Sequence, residues 1–289
     1  MGPGLPACRR ASARRAAQKR GGSPEGLAPH IAGRLLHLRH WRFMLRLPVL
    51  LLVYLPSALP QSAGLPAKET LTYNVEWRLI SAGKATVQWA AASQRDRPGW
   101  QVNLHLESVG LVSKLFKVED DYSAHLNQAL CVQSSLMTSH EGSRRHETKV
   151  TFDAETHKAS YLERDLAKNT VLASQESDIP ECVHDVIGGV YFLRTLNLEP
   201  GQSTEVPVSD GKKTVMARVE AQQREDVTVP DASYKTIRYE VFLFNNVLFR
   251  RSAHLHVWLT DDRRKLPVQV QVRLQFTIGT ITLQLEKHE

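Results

Sequence analysis

The stretch His254–Leu274, HLHVWLTDDRRKLPVQVQVRL, decides how the chain is read. Adjacent Asp261 and Asp262, with Arg263, Arg264, His254 and His256 close by, are either parts of an active site or the charged connection of two strands. HLHVWLT alternates polar and apolar residues. So does the segment after the charges, where Leu266, Val268, Val270, Val272, Leu274, Phe276 and Ile278 fall on one face. A general acid needs a carboxyl raised by burial or by a like charge. Flanking arginines and a lysine, Lys265, act the other way. The stretch reads as a hairpin.

His254 and His256 then project from one face of a strand, a spacing that also occurs in metal sites. A catalytic zinc needs a third protein ligand. His105, His125, His140, His146 and His184 are available in principle, but no sequence rule brings one adjacent. A water-facing pair, with Leu255, Val257 and Leu259 turned inward, is the simpler expectation. No metal or catalytic residue is assigned.

The same period of two runs outward from this hairpin. Tyr73, Val75, Trp77 and Leu79 share a face, Ser81-Ala82-Gly83 reads as a turn, and Ala85, Val87 and Trp89 resume the apolar side. Trp100, Val102, Leu104 and Leu106 repeat the pattern. TKVTF and KASYL flank the polar DAETH, and Asp210-Gly211 is a strong hairpin signal. Asn245-Asn246 is another pair tolerant of positive φ. EGSRRHE, Glu141 to Glu147, reads as a solvated loop or strand edge. Apolar residues switch from even to odd positions at Gly279-Thr280, which implies a turn or bulge.

One segment departs from alternation. In PECVHDVIGGVYFLRTLNL the apolar positions recur at helical spacing, predicting one principal helix over Val183–Leu198. Pro180 suits its first turn, Asp185 favours the positive end of the dipole, and Gly188-Gly189 permits close packing on a sheet. A shorter helical turn is expected around Val112 to Phe116. The fold class is mainly β: a large curled antiparallel sheet, open or half barrel-like, with one helix packed on it. A strongly twisted sheet of this size must curl or close.

The formal net charge is +7, but its location matters. Residues 1–63 hold ten Lys and Arg against Glu25 alone, which leaves 27 basic and 29 acidic residues in 64–289. That body has no basic excess to pair with nucleic-acid phosphates. Met44–Gly64 runs from Arg46 through the apolar Leu47–Leu55 to small Ser62, Ala63 and Gly64, the order of a secretory signal peptide. The apolar run is short for a membrane-spanning helix and carries Pro48, Pro56 and Pro60, although a retained anchor is the alternative. Residues 1–63 are thus an N-terminal extension plus signal peptide, with Met44 an alternative start, and 64–289 a single β-rich exported domain. In an oxidising compartment Cys131 and Cys182 either pair or remain two buried thiols.

Taken in order, YNVEWRLISAGKATV, EGSRRHETKVTFD, CVHDVIGGVYFLRTLNLEPGQS, VSDGKKTVMARV, YKTIRYEV and VWLTDDRRKLPVQVQVRLQFTIGTITLQL resemble the bacterial exported family catalogued as domain of unknown function 3108. The resemblance spans nearly all of 71–289 and implies an envelope location and a β-rich fold; it supplies no catalytic residue. No nucleophile elbow, zinc-protease, P-loop or dinucleotide motif appears, so no cofactor is expected. Three functions remain: a non-enzymatic carrier of a lipid or other apolar ligand, a structural or assembly partner in the envelope, and a hydrolase without a recognised motif. A deep apolar cavity beneath the helix favours the carrier over a solid barrel interior, and the carrier reading falls if no lipid shifts the tryptophan emission and no apolar cavity exceeds about 300 Å³, the low end for ligand pockets. N-terminal sequencing of the mature protein is expected to place cleavage near Ala63 or Gly64; a mature chain beginning upstream of Met44 contradicts export by this signal.

Overall fold

The computed structural model describes residues 64–94, 97–274 and 279–289. The signal-peptide reading, and Phe276 and Ile278, lie outside the described residues. Eight strands come first: β1 (Lys68–Trp77), β2 (Ile80–Gln94), β3 (Arg97–Ser108), β4 (Val118–Asn127), β5 (Val132–Glu141), β6 (Arg144–Asp153), β7 (Lys158–Asp165) and β8 (Thr170–Asp178). A short helix, α1 (Gly110–Leu115), joins β3 to β4, and α2 (Val186–Leu193) follows β8. Six more strands complete the sheet: β9 (Ser203–Ser209), β10 (Thr214–Thr228), β11 (Ser233–Val241), β12 (Ala253–Thr260), β13 (Pro267–Leu274) and β14 (Thr280–His288).

All fourteen strands form one antiparallel sheet in the order 8-7-6-5-4-3-2-1-14-13-12-11-10-9. Every strand pairs with its chain neighbours except at two places. β1 pairs with β14, matching Tyr73 with Leu285, Val75 with Leu283 and Trp77 with Ile281. β8 and β9, consecutive in the chain, are the two edges. The sheet is therefore interrupted where the chain leaves the ladder to make α2.

The alternation read from the sequence sets the face. In β1 Leu71, Tyr73 and Val75 are buried, and in β12 Ala253, Leu255, Val257 and Leu259 are buried. The DDRRK segment is the exposed β12–β13 connection, with Asp262 accepting from Thr260 Oγ1 at 2.7 Å and from Arg264 Nε at 3.0 Å. Partial burial alone would raise the Asp262 carboxyl, but the Thr260 and Arg264 hydrogen bonds, the Arg264 charge and the Lys265 backbone together outweigh it and hold the carboxyl below the usual range. That is the reverse of what a general acid needs.

Three readings change. The first hairpin closes at Arg78-Leu79, not Ser81–Gly83, because Trp77 pairs directly with Ile80. Both turn residues take positive φ, 50° and 68°, as a two-residue hairpin turn requires. Left-handed backbone costs a residue with a Cβ roughly 1–2 kcal/mol, and Leu79 leaves the apolar face to stand 91% exposed. Second, Asn245 and Asn246 do take positive φ, but within a longer 242–252 connection rather than a tight turn. Third, α2 is half the predicted length. Val183 and His184 are held extended: Val132 N donates to Val183 O, His184 N to Pro207 O and Ser209 N to His184 O. Beyond Leu193, Thr195 and Leu196 donate to Phe192 and Leu193 in tight turns.

Cys131 and Cys182 form a disulfide with a Cα–Cα separation of 5.1 Å, tying the β4–β5 connection to the segment that leads into α2. The crosslink closes a loop of sequence separation 51, and in the chain-entropy picture a loop of that length contributes about 4 kcal/mol. Replacing both cysteines by serine is expected to lower the unfolding free energy by about that amount in urea titrations, and unreduced protein is expected to show no thiol titre from this pair.

Candidate functional site

The strongest candidate is the space enclosed by the sheet and α2. Asp185 caps the helix, its carboxylate accepting from Ile187 N at 3.1 Å and Gly188 N at 3.2 Å. The Tyr122 hydroxyl donates to the same carboxylate. This is a capping role, not only the dipole interaction expected from the sequence. Gly188 is required by close approach, since a Cβ there would lie 2.6 Å from Leu126 Cδ2. Gly189 is different: a Cβ would have only His184 Cβ nearby, at 4.0 Å. It faces open space.

That space is an apolar cavity of about 260 Å³. The helix contributes Val186, Ile187, Gly189, Val190 and Tyr191. Tyr73, Val87, Leu104, Val219, Val257 and Leu283 come from six strands, and Phe244 and Phe249 from the 242–252 connection. Its volume falls just short of the roughly 300 Å³ expected of a small-molecule pocket. Apolar cavities of only about 150 Å³ stay dry and take up benzene, so this space is large enough for a small apolar group. The helix that covers it is only Val186–Leu193, shorter than the predicted Val183–Leu198.

Aromatic rings and one ion pair fix the wall. Trp89 lies between Trp100 and Tyr191, with ring centroids 4.8 and 4.1 Å away, and its Nε1 donates to Pro66 O at 3.0 Å. Of the three tryptophans placed on apolar faces, Trp89 is fully buried, whereas Trp77, at its strand's end, is 37% exposed. At the end of α2, Arg194 donates to both oxygens of Glu69 at 2.5 and 3.0 Å and to Arg264 O at 3.2 Å. Both side chains are almost wholly buried. The Arg194 guanidinium lies 5.1 Å from the Tyr191 ring centre. Burial pushes the Tyr73 and Tyr191 hydroxyls well above the ordinary tyrosine range, and Tyr73 donates to Pro267 O at 2.7 Å.

Sequence reasoning missed Glu69 and Arg194. One signal was present: Glu69 has the same odd parity as buried Leu71 and Tyr73, so it falls on the inward face. The other singled-out histidines lie apart: His105 Nδ1 is 2.8 Å from Asp121, His146 Nδ1 is 3.5 Å from Glu163, and His140 N donates to Asp120. His184 Nδ1 is 2.8 Å from Leu130 O, its ring stacks on Phe192, and burial lowers its pKa. His254 Nδ1 lies 2.8 Å from Glu240 Oε1, and His256 is half-buried beside it with its ring centre 6.2 Å from that of His254. Among the described residues no three His, Cys, Asp or Glu side chains gather in a metal-binding group. Each buried carboxylate accepts from a protein donor: Glu69 from Arg194, Asp120 from His140 N, Asp165 from Lys168 N, and Asp185 from the helix start; burial, with Glu141 and Asp121 nearby, nevertheless raises the Asp120 carboxyl above its ordinary range.

An open antiparallel meander, with a short helix over an apolar interior, is the class of fold. The chain belongs to the family described as Protein of unknown function (DUF3108), whose pattern it matches over residues 72–286. No curated protein matches it significantly. Among solved structures it is similar to a β-barrel-like DUF1849 protein from Brucella abortus, with 7% identity and a TM-score of 0.48, over 77% of this chain and 97% of that one. It is also similar to a protein from Bacteroides fragilis with a YmcC-like fold, at 8% identity and a TM-score of 0.35, over 79% and 99%. A DUF1089 family protein from Pseudomonas aeruginosa shows 14% identity and a TM-score of 0.33 over 66% and 90%.

The Glu69–Arg194 pair can be tested directly. Removing one member of a buried ion pair costs about 3–5 kcal/mol, while replacing both by apolar residues of similar volume is often neutral. Arg194→Met alone is expected to fall in that range in urea denaturation. The Glu69→Leu/Arg194→Met double variant is expected to recover most of the loss.

Proposed function

We propose that this chain is an exported, non-enzymatic protein of the cell envelope that binds a lipid or other apolar ligand inside its curved sheet. The observation that carries the reading is the cavity itself, about 260 Å³ of space walled by aliphatic and aromatic side chains from strands and helix. Such a space offers water few hydrogen bonds and an acyl chain many dispersion contacts. An envelope location is supported by the order of residues in Met44–Gly64 and by the Cys131–Cys182 disulfide, a bond that persists in oxidising compartments. The non-enzymatic reading is supported by the protein donors that engage Glu69, Asp120, Asp165 and Asp185.

Tryptophan fluorescence titrated with fatty acids and phospholipids tests the proposal, because Trp89 stacks on the cavity-lining Tyr191. A saturable change in emission is expected. Gly189→Leu is expected to occupy the cavity from the helix and abolish the change. It should leave stability intact or raised, since a helix-interior glycine costs about 1 kcal/mol relative to good helix formers. Absence of a response to every lipid removes the carrier reading. An unaltered response in Gly189→Leu moves the binding site elsewhere.

A further inference from the structure

We propose that one end of the sheet, built from the β1–β2 turn and the β3–β4 connection, docks on the surface of an anionic phospholipid bilayer. Antiparallel alternation puts both segments at the same end, and Val109 N donates to Ala82 O at 2.9 Å to hold them together. Trp77, Leu79, Ile80, Leu111, Leu115 and Phe116 all stand exposed there, Leu79 at 91% and Leu115 at 77%. Large apolar side chains gathered this way mark an interaction surface.

The turn chemistry points the same way. A two-residue turn with both φ positive is ordinarily built from Asn and Gly. Here Arg78 and Leu79 occupy it, so the chain accepts strained backbone in order to hold a leucine out in water. Beside it the Arg78 guanidinium lies 5.6 Å from the Trp77 ring centre, which places a cation against an exposed aromatic ring at this end.

Charge selects the occupant. Arg78, Lys114 and Lys117 accompany the apolar residues; the two connections contain no acid, and of the three cations Lys117 is paired with Glu119 of β4 at 2.8 Å. The 242–252 connection, at the same end by the same alternation, adds exposed Arg250 and Arg251. The opposite connections carry Glu155, Glu181, Asp185, Glu199, Asp231, Asp261 and Asp262 against Arg194, Arg263, Arg264 and Lys265, an acidic excess. The near-neutral total thus hides a basic end. Exposed apolar side chains interleaved with cations suit a fluid interface whose headgroups are anionic. A protein partner would instead require a surface complementary to each projection.

The docking end is continuous with the cavity. Tyr73 lines the cavity, Val75 follows it on the same face, and Trp77 ends the row about 13 Å further on at the ~3.3 Å rise of a strand. Phe244 and Phe249, from the Arg250-Arg251 connection, also line the cavity. The proposal rests on the envelope location given above and not on ligand binding, so the fluorescence titration and the following test can fail separately.

The test is flotation of the full chain with vesicles of phosphatidylethanolamine and phosphatidylglycerol. The R78N/L79G double variant installs the favoured turn pair and removes the projecting leucine. It is expected to need about tenfold more lipid for half-maximal flotation, the effect of one lost leucine insertion, with a Tm equal to or above wild type. Leu115→Asp, on the other segment, is expected to show a comparable loss. The apolar leader is common to all three chains, so the differences report this end of the sheet. Failure of wild type to float, or equal flotation of wild type and both variants, overturns the proposal. So does binding of this end to a protein partner in place of lipid.

Discussion

The structure depends on how the gap between β8 and β9 is bridged. A sheet that pairs all its other chain neighbours leaves two raw edges here, and the 179–202 segment crosses between them. Three constraints act within four residues: the crosslink at Cys182, the backbone bonds of Val183 and His184 to β5 and β9, and the cap made by Asp185. Side chains complete the crossing, with Ser177 Oγ donating to Gly211 O at 3.0 Å and Lys212 Nζ lying 4.3 Å from the Tyr161 ring centre. The sheet is held nearly shut without a continuous ladder, and α2 is positioned over its interior as a result.

That arrangement explains why the interior is not solid. Buried side chains form three apolar groups, one around Trp89, one across β9 to β12, and one around Leu71, Trp258 and Leu285. A helix of eight residues spans only about 12 Å, too little to reach all three. The cavity lies where they meet under the helix, and the small residues Gly189 and Ala217 keep its wall set back.

The strands were legible because burial on one face imposes a period of two, and the Asp210-Gly211 turn because its chemistry is local; Gly211 takes φ 85°. The Cys131–Cys182 pairing was legible only as one of two alternatives. The helix was overestimated because its apolar spacing continues through residues whose backbone is claimed by other strands. Val183 and His184 look helical until β5 and β9 are present to compete for their hydrogen bonds. The Arg78-Leu79 turn was invisible for the opposite reason, since neither residue favours the backbone it adopts. The Glu69–Arg194 pair joins positions 125 residues apart, which no local pattern encodes. Cavity volume was beyond reach, because it depends on sheet curvature and on where α2 stops.

The pairing of β1 with β14 also sets an order of assembly. Every other ladder joins chain neighbours and can form as a local hairpin, whereas this one matches Leu71 with His288 across almost the whole described chain. Closing so distant a contact pays its loop entropy late, after the local meanders exist. Strands 1 to 8 and 9 to 14 can therefore condense as two separate meanders as the chain emerges, and neither can seal the apolar interior alone. The last strand acts as the zip that unites them. A chain that emerges from its N-terminus therefore stays incomplete until β14 has followed, so completion of the interior is coupled to the last strand and not to the first.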